Sequence, residues 1–485
     1  MKKILRYISI FSLAVSVMGC ESFVDGFEED PNNPSGKSVD VNNMIQGVML
    51  ADALLHEGEM ARLTGMWTNQ FTGVDRQYVN LNEYRVSAGD FDSPWSTMYY
   101  GTIAQARLAK KKARAELNPK VEGVAQVLEA HAAGTAAALF GDVPFSEVTV
   151  SETPVFDPQE EVYNSVQVLL DSAITNLELN KGILKAEKDL YYTGNAQNWA
   201  RVAYTLKARY YLHTGDYAKA EEAALKGISS PEGNMVTPHG EAYYSLNVFY
   251  SFGQSERVGY MTAENAFAPL LLDPAQQGTF AKNRNNAKTD ETGRFNFYYT
   301  GEDGAYDLNY ADTTAYGYNQ GYSMVTYAET QLIIAEARVR QGNVNGAIDA
   351  LNARRTALNA IYGRPAVPAV PATPTTPEVP AIPEYKPYQM FTLEDFAIGG
   401  IENNGSLSPE QALLMEIMEE RYVTFIGNIE AFNDARRTDN LLGIPVKGTA
   451  NKLPERFLYP QNEVNSNPNT PNPLPDLYEP TALNK

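Results

Sequence analysis

The clearest periodicity in the chain runs from Trp199 to Ile228. Trp199, Val202, Leu206 and Tyr210 fall three and four residues apart, which places them on one helical face. Gly215-Asp216 interrupts the pattern, and Tyr217, Ala220, Ala224 and Ile228 resume it as a second helix. Small side chains at Ala220, Ala223 and Ala224 let the two helices approach closely. A second pair repeats the design: Val325, Ala328, Leu332, Ala335 and Val339 form one stripe, Gly342-Asn343 turns, and Val344, Ile348 and Leu351 form the next. A third hairpin is predicted from Trp95–Ala115 and Val121–Leu139. An opening helix is predicted over Asn43 to about Leu63, with Met44, Val48, Ala51 and Leu55 on one face. Another runs from Pro409 to Phe425, with Leu414, Met418, Tyr422 and Phe425 inward.

A turn glycine, an aromatic and spaced alanines give these pairs the look of tetratricopeptide units. The two turn glycines are 127 residues apart (342 − 215), so the units do not form a contiguous array of 34-residue repeats. The expected fold is mainly α, with helix pairs separated by long insertions.

Between Ser229 and Gly321 helical periodicity is lost. Eleven of the 30 tyrosines fall in the 80 residues from Tyr243 to Tyr322, about twice their even share, among frequent Gly, Asn and Asp. This stretch reads as long loops and short strands laid over the helical body. A proline stands at every third position from Pro365 through Pro368, Pro371, Pro374, Pro377 and Pro380 to Pro383. Polyproline II has three residues per turn, so these prolines share one face, and the run could extend about 55 Å. It reads as a surface insertion, or as a stiff arm that touches a partner.

The N-terminus changes the picture of where the chain works. Lys2, Lys3 and Arg6 precede an uncharged stretch from Tyr7 to Val17 and then Met18-Gly19-Cys20. A basic head, a short apolar run and small residues before a cut describe a secretory signal. Eleven residues fall short of the roughly 20 that span a bilayer. Cys20 is the one cysteine in 485 residues, so it has no disulfide partner. The layout predicts a lipoprotein: residues 1–19 a signal, Cys20 lipidated, 20–42 a tether, and 43–485 a single domain with a loop-rich insert at 229–322 and a Pro-rich insert at 364–388.

Net charge is −20, and about −23 without the three basic residues of the signal. Nucleic acid is excluded as a partner, because phosphate binding needs Lys and Arg stripes. The four histidines, His56, His131, His213 and His239, are scattered, with no pair at helical metal-ligand spacing. HExxH, CxxC, Walker, GxGxxG and GxSxG motifs are all missing. An all-helical glycosidase would need two paired carboxylates, and no pair stands out among 59 acids. The chain is therefore not expected to be an enzyme or to carry a cofactor. Ca²⁺ is left open at Asp303, Asp307, Asn309 and Asp312.

Six segments in order carry a family resemblance: Ala132–Val148 ending in FGDVPFSEV, Phe156–Leu177, Asn198–Ala224, Tyr327–Arg355 with ETQLIIAEA, Ile417–Arg437 with EERY and DARR, and Tyr459–Pro468 with YPQNEVNSNP. Together, behind a lipoprotein signal, they resemble the SusD/RagB family of surface nutrient-binding lipoproteins of Bacteroidota. The resemblance implies a helical body with four repeat-like helix pairs and a loop-rich ligand-binding face. It implies an outer-membrane, lipid-anchored protein that lids a TonB-dependent SusC-like transporter and binds a glycan, or less often a peptide, before import. The Pro-rich run lies outside the family's pattern.

A sugar offers an apolar face that stacks on Trp or Tyr, and rim hydroxyls that need polar partners, since an unpaired buried polar group costs about 1–3 kcal/mol. Two stretches have that composition, and the resemblance implies binding loops in the same parts of the chain. The first supplies Trp67, Arg76, Tyr78 and Tyr84; the second supplies Arg294, Tyr298, Tyr316 and Tyr318. Trp95 and Trp199 are expected in the core. Glu336, Glu419, Glu420, Arg421, Asp434, Arg436 and Arg437 are expected to form ion pairs between helices.

Overall fold

The computed structural model describes residues 39–367, 369, 384–405 and 407–484. Cys20, the signal, most of the tether and every proline of the triplet run after Pro365 lie outside the described residues. Two helices open the body, α1 (Val41–Glu57) and α2 (Glu59–Trp67). The sequence predicts one helix here. Gly58 divides it with ψ −136°, and a Cβ at that position would lie 2.4 Å from the Leu54 carbonyl oxygen.

The predicted hairpins are present. A π-helical turn at Thr97–Ile103 feeds α3 (Ala104–Ala115), which packs on α4 (Pro119–Phe140). Next come α5 (Gln159–Glu178), then α6 (Ala196–His213) paired with α7 (Tyr217–Ala224). The turn glycine Gly215 stands at φ +75°, and Asp216 caps α7 by accepting from Lys219 N. The same logic joins α8 (Tyr327–Arg340) to α9 (Val344–Tyr362): Gly342 has φ +79° and Asn343 caps by accepting from Gly346 N.

Helix α4 is the centre of the body. Every residue from Val121 to Phe140 is buried, as its all-round Ala, Val and Leu content requires. It packs against α1, α3, α5 and α6. Gly134 makes room for α6: a Cβ there would lie 2.2 Å from the Tyr210 ring, whose hydroxyl donates to the His131 carbonyl at 3.1 Å. Trp199 and Trp95 are core residues, as expected.

The C-terminal pair, α10 (Pro409–Thr424) and α11 (Glu430–Arg437), locks the body with buried ion pairs. Arg421 Nε bonds Asp434 at 2.8 Å, and Arg437 grips Glu336 of α8 with two bonds of 2.6 Å. Glu420 meets Arg284, Arg294 and Arg354 at 3.1 Å each. Arg436 departs from the expected ion pairing: its Nη1 donates to the carbonyls of Ala138 and Glu455, at 2.9 Å each.

Residues 229–322 form the loop layer. Their regular structure is limited to short helical turns and two-stranded ladders: Met235–Thr237 with Tyr322–Val325, Met261–Thr262 with Thr72–Gly73, and Tyr299–Thr300 with Asp307–Leu308. Two of these ladders tie the layer back to the helical body.

Candidate functional site

Where the loop layer meets α9 and the end of α10, the surface opens into a cleft of about 240 Å³. Its floor is the turn Phe425–Asn428. Gln70 fixes that turn from below: its Nε2 donates to the Phe425 carbonyl (3.2 Å) and its Oε1 accepts from Gly427 N (2.8 Å). Tyr322 Oη donates to the Gly427 carbonyl at 3.0 Å. Gly427 has φ +72°, which glycine adopts at little cost. One wall is aromatic, from Phe297, Tyr298, Tyr316 and Tyr322 of the loops. The other comes from α9, with Arg354, Leu358, Ile361 and Tyr362. Asn234, Gln320, Ser323 and Asn428 also line it.

The polar groups of this cleft are positioned but not used up. Arg354 is buried on α9 and held by Glu420 (Nε, 3.1 Å) and Thr424 (Nη2, 3.3 Å), which leaves its Nη1 without a hydrogen-bond partner among the described residues. The Tyr316 hydroxyl is buried and unpartnered. Burial pushes the phenols of Tyr298, Tyr316 and Tyr362 up, so they remain neutral donors at physiological pH. Rigid aromatic faces beside oriented, unsatisfied donors are what a hydroxyl-rich ring requires. Among the described residues no Asp or Glu lines the cleft.

A larger groove of about 960 Å³ lies between the end of α5, the first turns of α6 and the residues after α7, lined by Glu178, Arg201, Tyr204 and Lys226 among others. It suits a sugar less well. Its aromatic ring, Tyr204, already has the Lys226 ammonium over its face at 5.8 Å.

The residues singled out from sequence divide. Tyr298 and Tyr316 come together in the cleft, at 6.2 Å between rings. Trp67 is instead a core residue with no exposed surface. Its Nε1 donates to the Leu81 carbonyl, and Tyr84, Phe91, Phe432 and Phe457 pack edge-on around it. Tyr84 is buried beside it, its hydroxyl accepting from Lys447 N at 3.1 Å. Arg294 is buried against Glu291 and Glu420, an ion-pair residue beneath the site. Tyr78 is nearly buried between Phe252 and Tyr260, with exposed Arg76 beside Tyr260. Tyr318 packs on Tyr250, 6.1 Å away. Sequence reasoning missed Arg354 and Tyr362, on a helix read as structural, and Asn428, in the turn between α10 and α11. An exposed apolar residue at a helix end, Ile361 beside Tyr362, is the signal that could have flagged them.

Among the described residues, one group of acids and histidines converges closely: Asp52, His56 and His131. There the imidazoles of His56 and His131 stack 3.7 Å apart and 2° from parallel. In-plane lone pairs of parallel rings cannot aim at one ion. All four ring nitrogens are also engaged, by the Asp52 carbonyl, Thr135, the Asp52 carboxylate and Arg209. This is a buried hydrogen-bond network rather than a metal centre.

Residues 32–460 match the SusD-like family, described as starch-binding and associating with the outer membrane. The chain belongs to the SusD-like family. Among curated proteins no sequence matches it. Solved structures share its fold. A SusD/RagB family protein of Bacteroides thetaiotaomicron is 21% identical with a TM-score of 0.62, over 89% of this chain and 95% of that one. A SusD homologue of Bacteroides fragilis is 15% identical with a TM-score of 0.65, over 92% and 100%. A chitin-binding SusD homologue of Flavobacterium johnsoniae is 16% identical with a TM-score of 0.59, over 88% and 92%. The mainly helical SusD-like architecture expected from the sequence is thus the one observed. No helix among the described residues is long and apolar enough to cross a membrane.

Proposed function

We propose that this SusD-like protein is a surface glycan-binding lipoprotein, anchored to the outer membrane through Cys20. It captures an oligo- or polysaccharide and passes it, without catalysis, to a TonB-dependent SusC-like transporter. The observation that carries the reading is the cleft between Tyr298 and Tyr362, with Arg354 Nη1 and the Tyr316 hydroxyl lacking a hydrogen-bond partner among the described residues. The family's starch-binding description and the chitin-binding neighbour support the ligand class. The cleft is somewhat smaller than the roughly 300–1,000 Å³ of drug-sized sites, which suits one sugar unit of a longer chain. Hydrolysis of a glycosidic bond needs two carboxylates across the bond; the cleft lining offers none among the described residues, and nearby Glu420 is committed to three arginines.

The test is calorimetry of the full chain against maltooligosaccharides, chitooligosaccharides, other glycans and peptides, with chromatography of the recovered ligand. Saturable binding of an unaltered glycan supports the reading. Heat from peptides alone would replace it with capture of peptides, and cleavage of the glycan would overturn the claim of no catalysis.

A further inference from the structure

A second surface, where Thr72–Gly73 pairs with Met261–Thr262, gathers three arginines over two aromatic rings, Phe252 and Tyr260. Tyr78 packs against Phe252 (5.0 Å between rings) and Tyr260 (6.0 Å). The Arg62 guanidinium lies 4.4 Å over Phe252; those of Arg76 and Arg257 lie 5.5 and 5.8 Å from Tyr260. In a chain of net charge −20 this concentration of positive charge stands out.

Its neutralisation is partial: Glu59 attracts Arg62 through space without a hydrogen bond, and Asp307 acts on the Tyr310 hydroxyl. Arg76 has one loose, exposed contact with Asp75 at 3.7 Å, and Arg257 donates to the carbonyl of Glu256. Arg76 also stands at φ +47°, a conformation that L-residues rarely adopt. Arg62 is the decisive residue. Its Nε and Nη1 are buried and have no hydrogen-bond partner, although Glu59 sits one turn earlier on the same helix. The Tyr310 hydroxyl is buried and unpartnered as well, and it lies against Gly253, the neighbour of Phe252. Cation–π contact accounts for guanidinium groups resting on rings. It does not account for two buried guanidinium nitrogens left unpaired, which native proteins avoid. The planar fork of an arginine is satisfied best by two oxygens of one anionic group.

We propose that Arg62, with Arg76, Arg257 and the Tyr310 hydroxyl, recognises an oxyanion substituent on the captured glycan, a uronate carboxylate or a sulfate ester. The inference rests on the glycan reading and narrows it to acidic polysaccharides. Phe252 carries Arg62, and Tyr260 carries Arg76 and Arg257; the cleft at Tyr298 remains a separate contact for the neutral part of a ring.

The experiment titrates the full chain with galacturonate oligosaccharides and their methyl esters, and with chondroitin sulfate oligosaccharides and their desulfated forms. The expected result is at least about tenfold tighter binding of one acidic form than of its uncharged counterpart, the strength of a charge-assisted contact, weakening as NaCl is raised. Arg62→Gln should remove most of that preference. Arg76→Gln, at an exposed position, should reduce it without changing the melting temperature. A preference for only one of the two acidic pairs assigns the substituent. Equal affinity for charged and uncharged forms, or a preference that survives both substitutions, overturns the inference and leaves glycan capture standing. Loss of uptake with unchanged glycan affinity would mark the patch as a transporter contact and also overturn it. No binding to any saccharide, neutral or acidic, overturns both.

Discussion

His131 donates its Nδ1–H to Asp52 Oδ2 at 2.9 Å while its Nε2 accepts from Arg209 Nη1 at 3.2 Å. Arg209 in turn bonds Glu329 through two nitrogens, at 2.5 and 2.8 Å, so a polar relay links α1, α4, α6 and α8 through the core. Each of the four histidines faces a buried carboxylate: His56 and His131 face Asp52, His213 faces Glu430, and His239 faces Glu57.

That relay predicts an acid-sensitive core. Burial pushes His131 down to about 4, against a partial upward pull from Asp52. Between pH 6.5 and 4 the unfolded chain takes up a proton that the folded chain refuses, so stability falls with acid by up to about 3 kcal/mol. Melting temperatures at pH 7.5 and 4.5 check this: His131→Asn should lose less between the two than the parent.

Glu416 and Glu419 should act in the opposite direction. Burial, then crowding by neighbouring carboxylates, outweighs Arg284 and lifts both to about 7. A folded-state value above the unfolded one favours folding below pH 4.5, and that contribution is lost as pH rises through 7. Glu419→Gln should therefore gain more, relative to the parent, at pH 8 than at pH 5 in urea titrations.

Glu336 sits at the meeting point of α8, α10 and α11. Burial alone would raise its carboxyl, but Arg437, Arg421 and Arg340 hold it at about 2. Glu336→Gln leaves those cations short of a partner and should cost about 3–5 kcal/mol, read as a lower urea midpoint. Little change would mean that the cage relaxes into solvent.

Much of the helical body was legible because helix pairs announce themselves by a 3.6-residue period and turn glycines. The ion-pair motif residues were legible too, Arg436 excepted, since charges must pair when buried. The site was legible only in part. Tyrosine serves core and surface alike, so composition flagged residues 294–322 without separating Tyr298, in the cleft, from Arg294 beneath it. Trp67 looked like a stacking platform, yet residues up to 390 positions away, such as Phe457, enclose it. Arg354 and Tyr362 were hidden because their helix read as scaffold. Likewise the stacking of His56 on His131, 75 residues apart, follows from how α1 packs on α4.

Gly134 tests the packing at the centre. Its missing side chain accommodates the Tyr210 ring, so Gly134→Ala should destabilise by about 1–3 kcal/mol in thermal melts, and adding Tyr210→Phe should not restore it, since the ring carbons clash as well.

The most direct test of glycan capture is a calorimetric titration of Tyr298→Ala and Trp67→Ala beside the parent, with an oligosaccharide that the parent binds. The account predicts that Tyr298→Ala loses about tenfold or more in affinity, as expected for a lost stacking partner in a buried site, with its melting temperature nearly kept. Trp67→Ala should melt much earlier, since truncating a buried aromatic costs about 3–5 kcal/mol, and whatever remains folded should bind normally. Unchanged affinity in Tyr298→Ala would contradict the placement of the glycan in this cleft.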